Sequence, residues 1–181
     1  MKTKVLLTSE EFVKSQTNIS DNVAGKYILT AIREAQEQGL QRIIGSCLYK
    51  KLLQVADSAA AVEAPENEVY ADLLSTAQYY LAYTAVAEVL PKVTYKVGNI
   101  GVVKTVDENV QAVTPEELST QLAYYRDKAA HYCREIQRFC MENRAALPEL
   151  RPCDCEAIAA HLHTSYTGGL YLGGARGKIL P

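Results

Sequence analysis

No stretch of this 181-residue chain approaches the roughly 20 consecutive apolar residues that a bilayer-spanning helix needs, and the start MKTKVLLTSEEF turns acidic before a signal-peptide core can form. The expectation is a protein made and kept in a reducing cytoplasm, with no membrane partner. An excess of one charge is missing too. Nineteen basic and twenty-one acidic residues leave a formal charge of −2, which offers no broad attraction to nucleic acid or an anionic membrane. The five cysteines are an odd number, which argues against a closed disulfide framework. Cys47, Cys133 and Cys140 fall inside helical patterns, where a thiol behaves as a small hydrophobe.

Catalytic signatures are equally scarce. Nucleophilic catalysis by serine or cysteine needs a base, and the only histidines are His131, His161 and His163. His131 sits mid-helix among alanine, tyrosine and cysteine, as a core-edge residue does. Glu116 and Glu117 are explained by helix capping, and Glu34 and Glu37 by a solvated face. The glycines of GGLYLGGARGK lack the spacing and the hydroxyl of a phosphate-binding loop. The expectation is therefore a protein that is not an enzyme and carries no cofactor.

One cluster has metal-ligand residue types: Cys153 and Cys155, followed by His161 and His163. Structural zinc sites space paired ligands two to four residues apart, and a single intervening residue is tighter. On a helix the two imidazoles would point about 200° apart, whereas on a strand they would share a face. Surface thiols and hydrogen-bonded imidazoles are the preferred reading. The expectation is no metal, with these four residues as the candidates should one bind.

With 48% hydrophobic and 22% charged residues the composition is that of an ordinary globular domain. Thr8 and Glu11 have capping-box spacing, predicting a helix over 9–16. Ser20 and Asp21 are positioned to cap a second, with Val23, Tyr27, Ile28, Ala31, Ile32 and Ala35 on one face and Arg33, Glu34, Glu37 and Gln38 pointing elsewhere. Its pattern runs through Leu40, Ile43 and Ile44 to Gly45, a residue able to end a helix, and Ser46 opens another with a stripe of Leu48, Leu52 and Val55. Residues 57–65 read as a flexible connection. A long helix is expected from about 67 to 90, stopped by Pro91, its tyrosines Tyr70, Tyr79, Tyr80 and Tyr83 suited to a core edge or a subunit contact.

TYKVGNIGVVKTV then alternates around glycine and asparagine, predicting a β-hairpin over about 94–106. Thr114-Pro115-Glu116-Glu117 starts a second long helix with Leu118, Leu122, Tyr125, Ala129, Tyr132, Ile136 and Cys140 on its inner face, ended by Pro148. From 148 to 181 little helical period remains beyond Cys155 to Leu162. The predicted fold is mainly α: a helical bundle with two long helices, one inserted β-hairpin and an irregular C-terminal arm, divided into a domain over 1–147 and the arm over 148–181.

The short leading helix with LLTSEEF, the block ISDNVAGKYILTAIREAQEQGLQRIIGSCLYKKLL, the tyrosine-rich helix, the TYKVGNIGVVKT segment and the GGLYLGGARGK tail together resemble tailed-bacteriophage head-tail connector proteins, of the head-completion or adaptor kind carried by phages and prophages. The resemblance implies a structural subunit without an active site, which forms a ring between portal and tail and lines part of the channel through which phage DNA passes. It places the protein in the virion, and in the bacterial cytoplasm during assembly. It further implies contacts with neighbouring subunits, portal and tail proteins through Tyr95, Val97, Asn99, Ile100 and Val102 of the hairpin and through Tyr171, Arg176 and Lys178 of the arm. The alternative is a non-enzymatic cytoplasmic helical adaptor that binds another protein, with a small zinc site in the arm.

Overall fold

The structure is a computed structural model and describes residues 5–98, 101–104, 114–150 and 158–160. It is mainly helical. Among the described residues seven α-helices follow in order: α1 (Glu10–Gln16), α2 (Gly25–Glu34), α3 (Gln41–Ile44), α4 (Ser46–Ala56), α5 (Ala59–Glu63), α6 (Glu68–Thr94) and α7 (Pro115–Glu142). A π-helical segment, Ala35–Leu40, joins α2 to α3, and 3-10 turns occupy Pro65–Asn67 and Pro148–Leu150.

Helix α6 is the centre of the bundle. Its first half turns Leu73, Ala77 and Leu81 into a cluster with Leu40, Ile44, Leu48 and Leu52, and with Ile136, Cys140 and Leu147 from the other end of the chain. Its second half turns Ala82, Ala85, Val86 and Val89 into a second cluster with Val13, Ile28, Ala31, Ile32 and Tyr125. The buried face thus changes side along the helix, and no single stripe runs its length. Each fully buried Leu or Ile contributes about 1.5–3 kcal/mol relative to exposure. The alanines let α2 and α7 lie close to the α6 backbone.

Local chemistry set several boundaries differently from the sequence expectation. The cap of α1 is Ser9, whose hydroxyl accepts from the Phe12 amide at 3.1 Å, while Thr8 is buried. Ser20 folds a turn instead of capping, with its carbonyl accepting from Val23 and its hydroxyl from Asn22, so α2 begins five residues later at Gly25. The connection at 57–65 contains the short helix α5. Helix α7 has the predicted capping box: the Thr114 hydroxyl accepts from the Glu117 amide at 3.2 Å, and the Glu117 carboxylate accepts from the Thr114 amide at 2.8 Å. It ends at Glu142, before Pro148. Leu150 enters the core, and the Tyr70 hydroxyl donates to both carboxylate oxygens of Glu149 at 3.0 Å. Burial, reinforced by that acid, pushes the Tyr70 pKa up to about 12.

Two expectations in the middle of the chain need correcting. Pro91 does not stop α6. The helix runs on to Thr94, whose hydroxyl donates to the Leu90 carbonyl at 2.8 Å, and the Tyr95 amide bonds the Pro91 carbonyl. An ion pair from Lys92 to Glu34 holds this last turn against α2. The inserted β-hairpin over about 94–106 falls with it as an element of the fold. Thr94, expected to open its first strand, belongs to the helix, and the extended backbone that follows is a four-residue antiparallel ladder, Tyr95–Gly98 against Gly101–Lys104, with no third strand among the described residues. The fold class is helical.

An interior proline removes one helix hydrogen bond and crowds the carbonyl four residues back. Pro91→Ala is therefore expected to raise stability by about 1–2 kcal/mol, after allowing for the greater freedom alanine gives the unfolded chain. Urea unfolding followed by circular dichroism measures this. A midpoint lower than that of the parent would show that the proline is needed for the last turn to pack against Glu34.

Candidate functional site

Three features collect the chain's polar and aromatic side chains. The first is a row of rings where α1, α6 and α7 meet. Tyr79 and Tyr83 are one turn apart on α6, and Tyr132 of α7 enters between them. It stacks on Tyr79 at 5.2 Å between centroids and 13° between planes, and on Tyr83 at 5.6 Å and 11°. Phe12 of α1 meets Tyr79 edge-on at 5.3 Å, and Tyr124 meets Tyr125 edge-on at 5.2 Å. Aromatic pairs of this kind add about 0.5–1.5 kcal/mol each beyond area burial. Burial raises the Tyr125 and Tyr132 pKa values above the ordinary phenol value, so both stay neutral. Tyr80 packs against Gly39 of the π-helical segment, where a Cβ would lie 2.5 Å from the phenolic oxygen. The tyrosines read as core edge or subunit contact are thus used largely within the chain. Tyr124, which that reading did not include, is 51% exposed with the Lys128 ammonium 5.7 Å from its ring centroid.

The second is a cleft of about 360 Å³ beside this row, lined by Ser75, Thr76, Tyr79, His131, Glu135 and Arg138, among others. Arg138 pairs with Glu135, and also with Glu142 at 3.8 Å. His131 is exposed and stands edge-on to Tyr132. The nearby thiols are unsuited to nucleophilic work: burial raises the Cys133 pKa and pushes that of Cys140 up to about 12, so each stays a protonated packing group.

The third is a clasp between the α3–α4 junction and residues 158–160. Gly45 separates the two helices with φ 82° and ψ 161°, a backbone conformation that breaks the helical path between them. Its neighbour Ser46 donates its amide to the Ile158 carbonyl at 2.9 Å, and the Ser46 hydroxyl accepts from the Ile158 amide at 3.1 Å. That hydroxyl also accepts from Gln41 Nε2 at 2.9 Å. The next residue, Cys47, is disulfide-bonded. This overturns its reading as a lone apolar thiol; the odd cysteine count concealed a pair because Cys133 and Cys140 are the free thiols among the described residues.

A family of unknown function, DUF6712, matches residues 40–159. The chain belongs to DUF6712. Comparison with curated proteins and with solved structures finds no match. The DUF6712 match takes in α3 to α7, Gly45 and Ser46 with residues 158 and 159 of the clasp, and the α6 and α7 members of the aromatic row; α1, with Phe12, and α2 precede it.

In this DUF6712 member, most residues singled out from the sequence are not brought together. Val97 stands opposite Val102 in the short ladder, and Tyr95 is half-buried at its start. Asn99, Ile100, Cys153, Cys155, His161, His163, Tyr171, Arg176 and Lys178 lie outside the described residues. Sequence reasoning missed Gln36. It lies in the π-helical segment, 1% exposed, and it ties the N-terminal strand of chain down by accepting from the Leu7 amide at 3.2 Å and donating to the Val5 carbonyl at 3.0 Å. No residue type signals a π-helix, which shifts every later side chain about the axis relative to an α-helical projection.

Proposed function

We propose that this chain is a non-enzymatic structural subunit that assembles with copies of itself into a ring between the portal and tail of a tailed phage. It would work in the virion, after assembly in the bacterial cytoplasm. The resemblance of its sequence to head-tail connectors supplies the identity of the neighbours. Supporting it is the use of aromatic rings and thiols for packing rather than for chemistry.

The single observation that carries the reading is the outer side of α7. Its inner side is spent on the bundle through Leu118, Tyr125, Ala129, Ile136 and Cys140, while Tyr124 remains half in water on the opposite side. Rigid, amphipathic rings at the edge of a solid scaffold are favoured at the centres of subunit contacts. Lys128, His131, Glu135 and Arg138 continue from Tyr124 at three- and four-residue steps, mixing both charge signs, which suits contact with a like subunit better than contact with a polyanion. Phage DNA is then a transient neighbour in the channel and not a bound partner.

Light scattering over a concentration series, with negative-stain microscopy of any large species, tests the proposal. The expected result is closed rings at several times the 19.9 kDa chain mass, lost in Tyr124→Glu while the helical circular dichroism is kept. A parent protein that stays monomeric at every concentration, alone and with a portal ring added, would sink it.

A further inference from the structure

A cyclic ring of three or more copies needs two different, complementary patches on each copy, one turned to each neighbour. The outer side of α7 is one. A groove of about 680 Å³ between the N-terminal segment, α2, α5 and α6 has the character of the other, with walls of Leu6, Phe12, Leu29, Ala59, Val62 and Leu74. No described residue of α7 lines it, so the two patches are separate.

The fold leaves this groove open. Helix α5 has no fully buried residue although it is mostly apolar, and Leu29 is 38% exposed. Thr8 lines the groove too, 5% exposed, and its hydroxyl has no hydrogen-bond partner among the described residues. A buried hydroxyl left unpaired costs about 1–3 kcal/mol, which an incoming hydroxyl, able both to donate and to accept, recovers.

Charge selects the occupant. Residues 52–91 include six acids and no lysine, arginine or histidine. Glu63 lines the groove, Asp57 and Glu66 flank α5, and all three are exposed and in no ion pair among the described residues. Glu10, which also lines it, is already paired with Lys14 at 2.7 Å. The α7 surface has the opposite balance. Arg126, Lys128 and Arg134 are exposed and in no ion pair among the described residues, while Arg138 is taken up by Glu135. Beside these bases stands Tyr124, an apolar ring with a hydroxyl at its tip.

We infer that Tyr124 of one copy docks into this groove of the next, with Lys128 and Arg134 set against Glu63 and its acidic flank. The inference rests on the ring reading above and gives its contact a second half. The ring supplies the buried area, and the charges steer the approach and fix the register. An acidic groove also turns away the phosphates of DNA.

Two variants at exposed positions test it by light scattering. Ala59→Arg fills the groove, and Tyr124→Glu removes the ring that enters it. Each alone should stay monomeric. Mixed in equal amounts they should form a species of twice the 19.9 kDa chain mass and no larger, because one variant still offers its α7 face, the other still offers its groove, and the remaining two patches are blocked. That pairing should weaken about 10-fold as salt rises from about 0.05 to 0.5 M. If either variant loses its helical circular dichroism, hydrogen exchange of the parent decides: protection must rise with concentration at both 59–63 and 124–134. A mixture that stays monomeric while the parent associates, or an Ala59→Arg variant that assembles like the parent, would overturn the inference and leave the ring reading standing. Parent assemblies that never close, yet are lost in both variants, would keep the groove contact and overturn the ring. A parent that never associates would overturn both.

Discussion

Gly45→Ala is expected to cost about 3–5 kcal/mol, from two effects that fall on the same atom. At φ 82° and ψ 161° the backbone sits in a region open almost only to glycine, where another residue carries about 1–3 kcal/mol of strain. The added Cβ would also lie 2.9 Å from the Ala160 nitrogen and 3.1 Å from the Ile158 carbonyl oxygen. Those are backbone atoms and cannot swing aside as a side-chain tip would. For a chain of this length the loss corresponds to roughly 6–20 °C in melting temperature, readable by calorimetry. The two parts separate in one experiment. Should residues 158–160 lift away to relieve the contact, the loss falls to the strain alone and Ser46 amide exchange accelerates. A loss below about 1 kcal/mol would mean that the junction does not hold this conformation.

Ile136→Ala is expected to cost about 3–4 kcal/mol, within the range for deleting buried aliphatic groups that leave a cavity. Ile136 is 0% exposed and belongs to the cluster that joins α7 to α4 and to the first half of α6. The cluster around it is built from α4, α6 and the 3-10 turn at Pro148–Leu150 as well as α7, so little collapse can refill the space. Ile136→Val, which removes one methyl, should cost about 0.5–1.5 kcal/mol and serves as the graded control. Chemical denaturation with an unchanged slope would attribute both losses to the folded state. Equal costs for the two variants would contradict the cavity argument.

Much of the helical scaffold was legible in the residues. Thr114-Pro115-Glu116-Glu117 reads as a helix start because its hydroxyl, ring and carboxylates each satisfy a different need of the first turn, and all act locally. Gly45 was legible for the same reason. What escaped was decided at long range. Pro91 ought to end a helix, and its local cost is real; the ion pair of Lys92 with Glu34, 58 residues away in sequence, holds the extra turn in place. The alternating residues after it matched a hairpin pattern, yet a helix that continues to Thr94 takes up the beginning of the expected first strand. Ser20 and Thr8 offered good capping chemistry and lost to neighbours one to five residues on, because burial of Val13 and Ile28 set the helix phase. The Cys47 bond was hidden by parity: an odd number of cysteines is compatible with a pair when other thiols are sealed inside helices.

The two-sided burial of α6 also sets a timetable for synthesis. Both of its faces depend on α7, through Ile136 and Cys140 at one end and Tyr125 at the other. Helix α7 finishes at Glu142, 48 residues after α6 finishes at Thr94. At about 5–20 residues per second, a ribosome leaves the completed α6 without its last neighbour for roughly 2–10 s. In that interval the cluster around Leu73 and Leu81 lacks Ile136 and Cys140, and the tyrosines at 79 and 83 lack Tyr132, which leaves the nascent chain with an open apolar seam on which two unfinished copies can stick together.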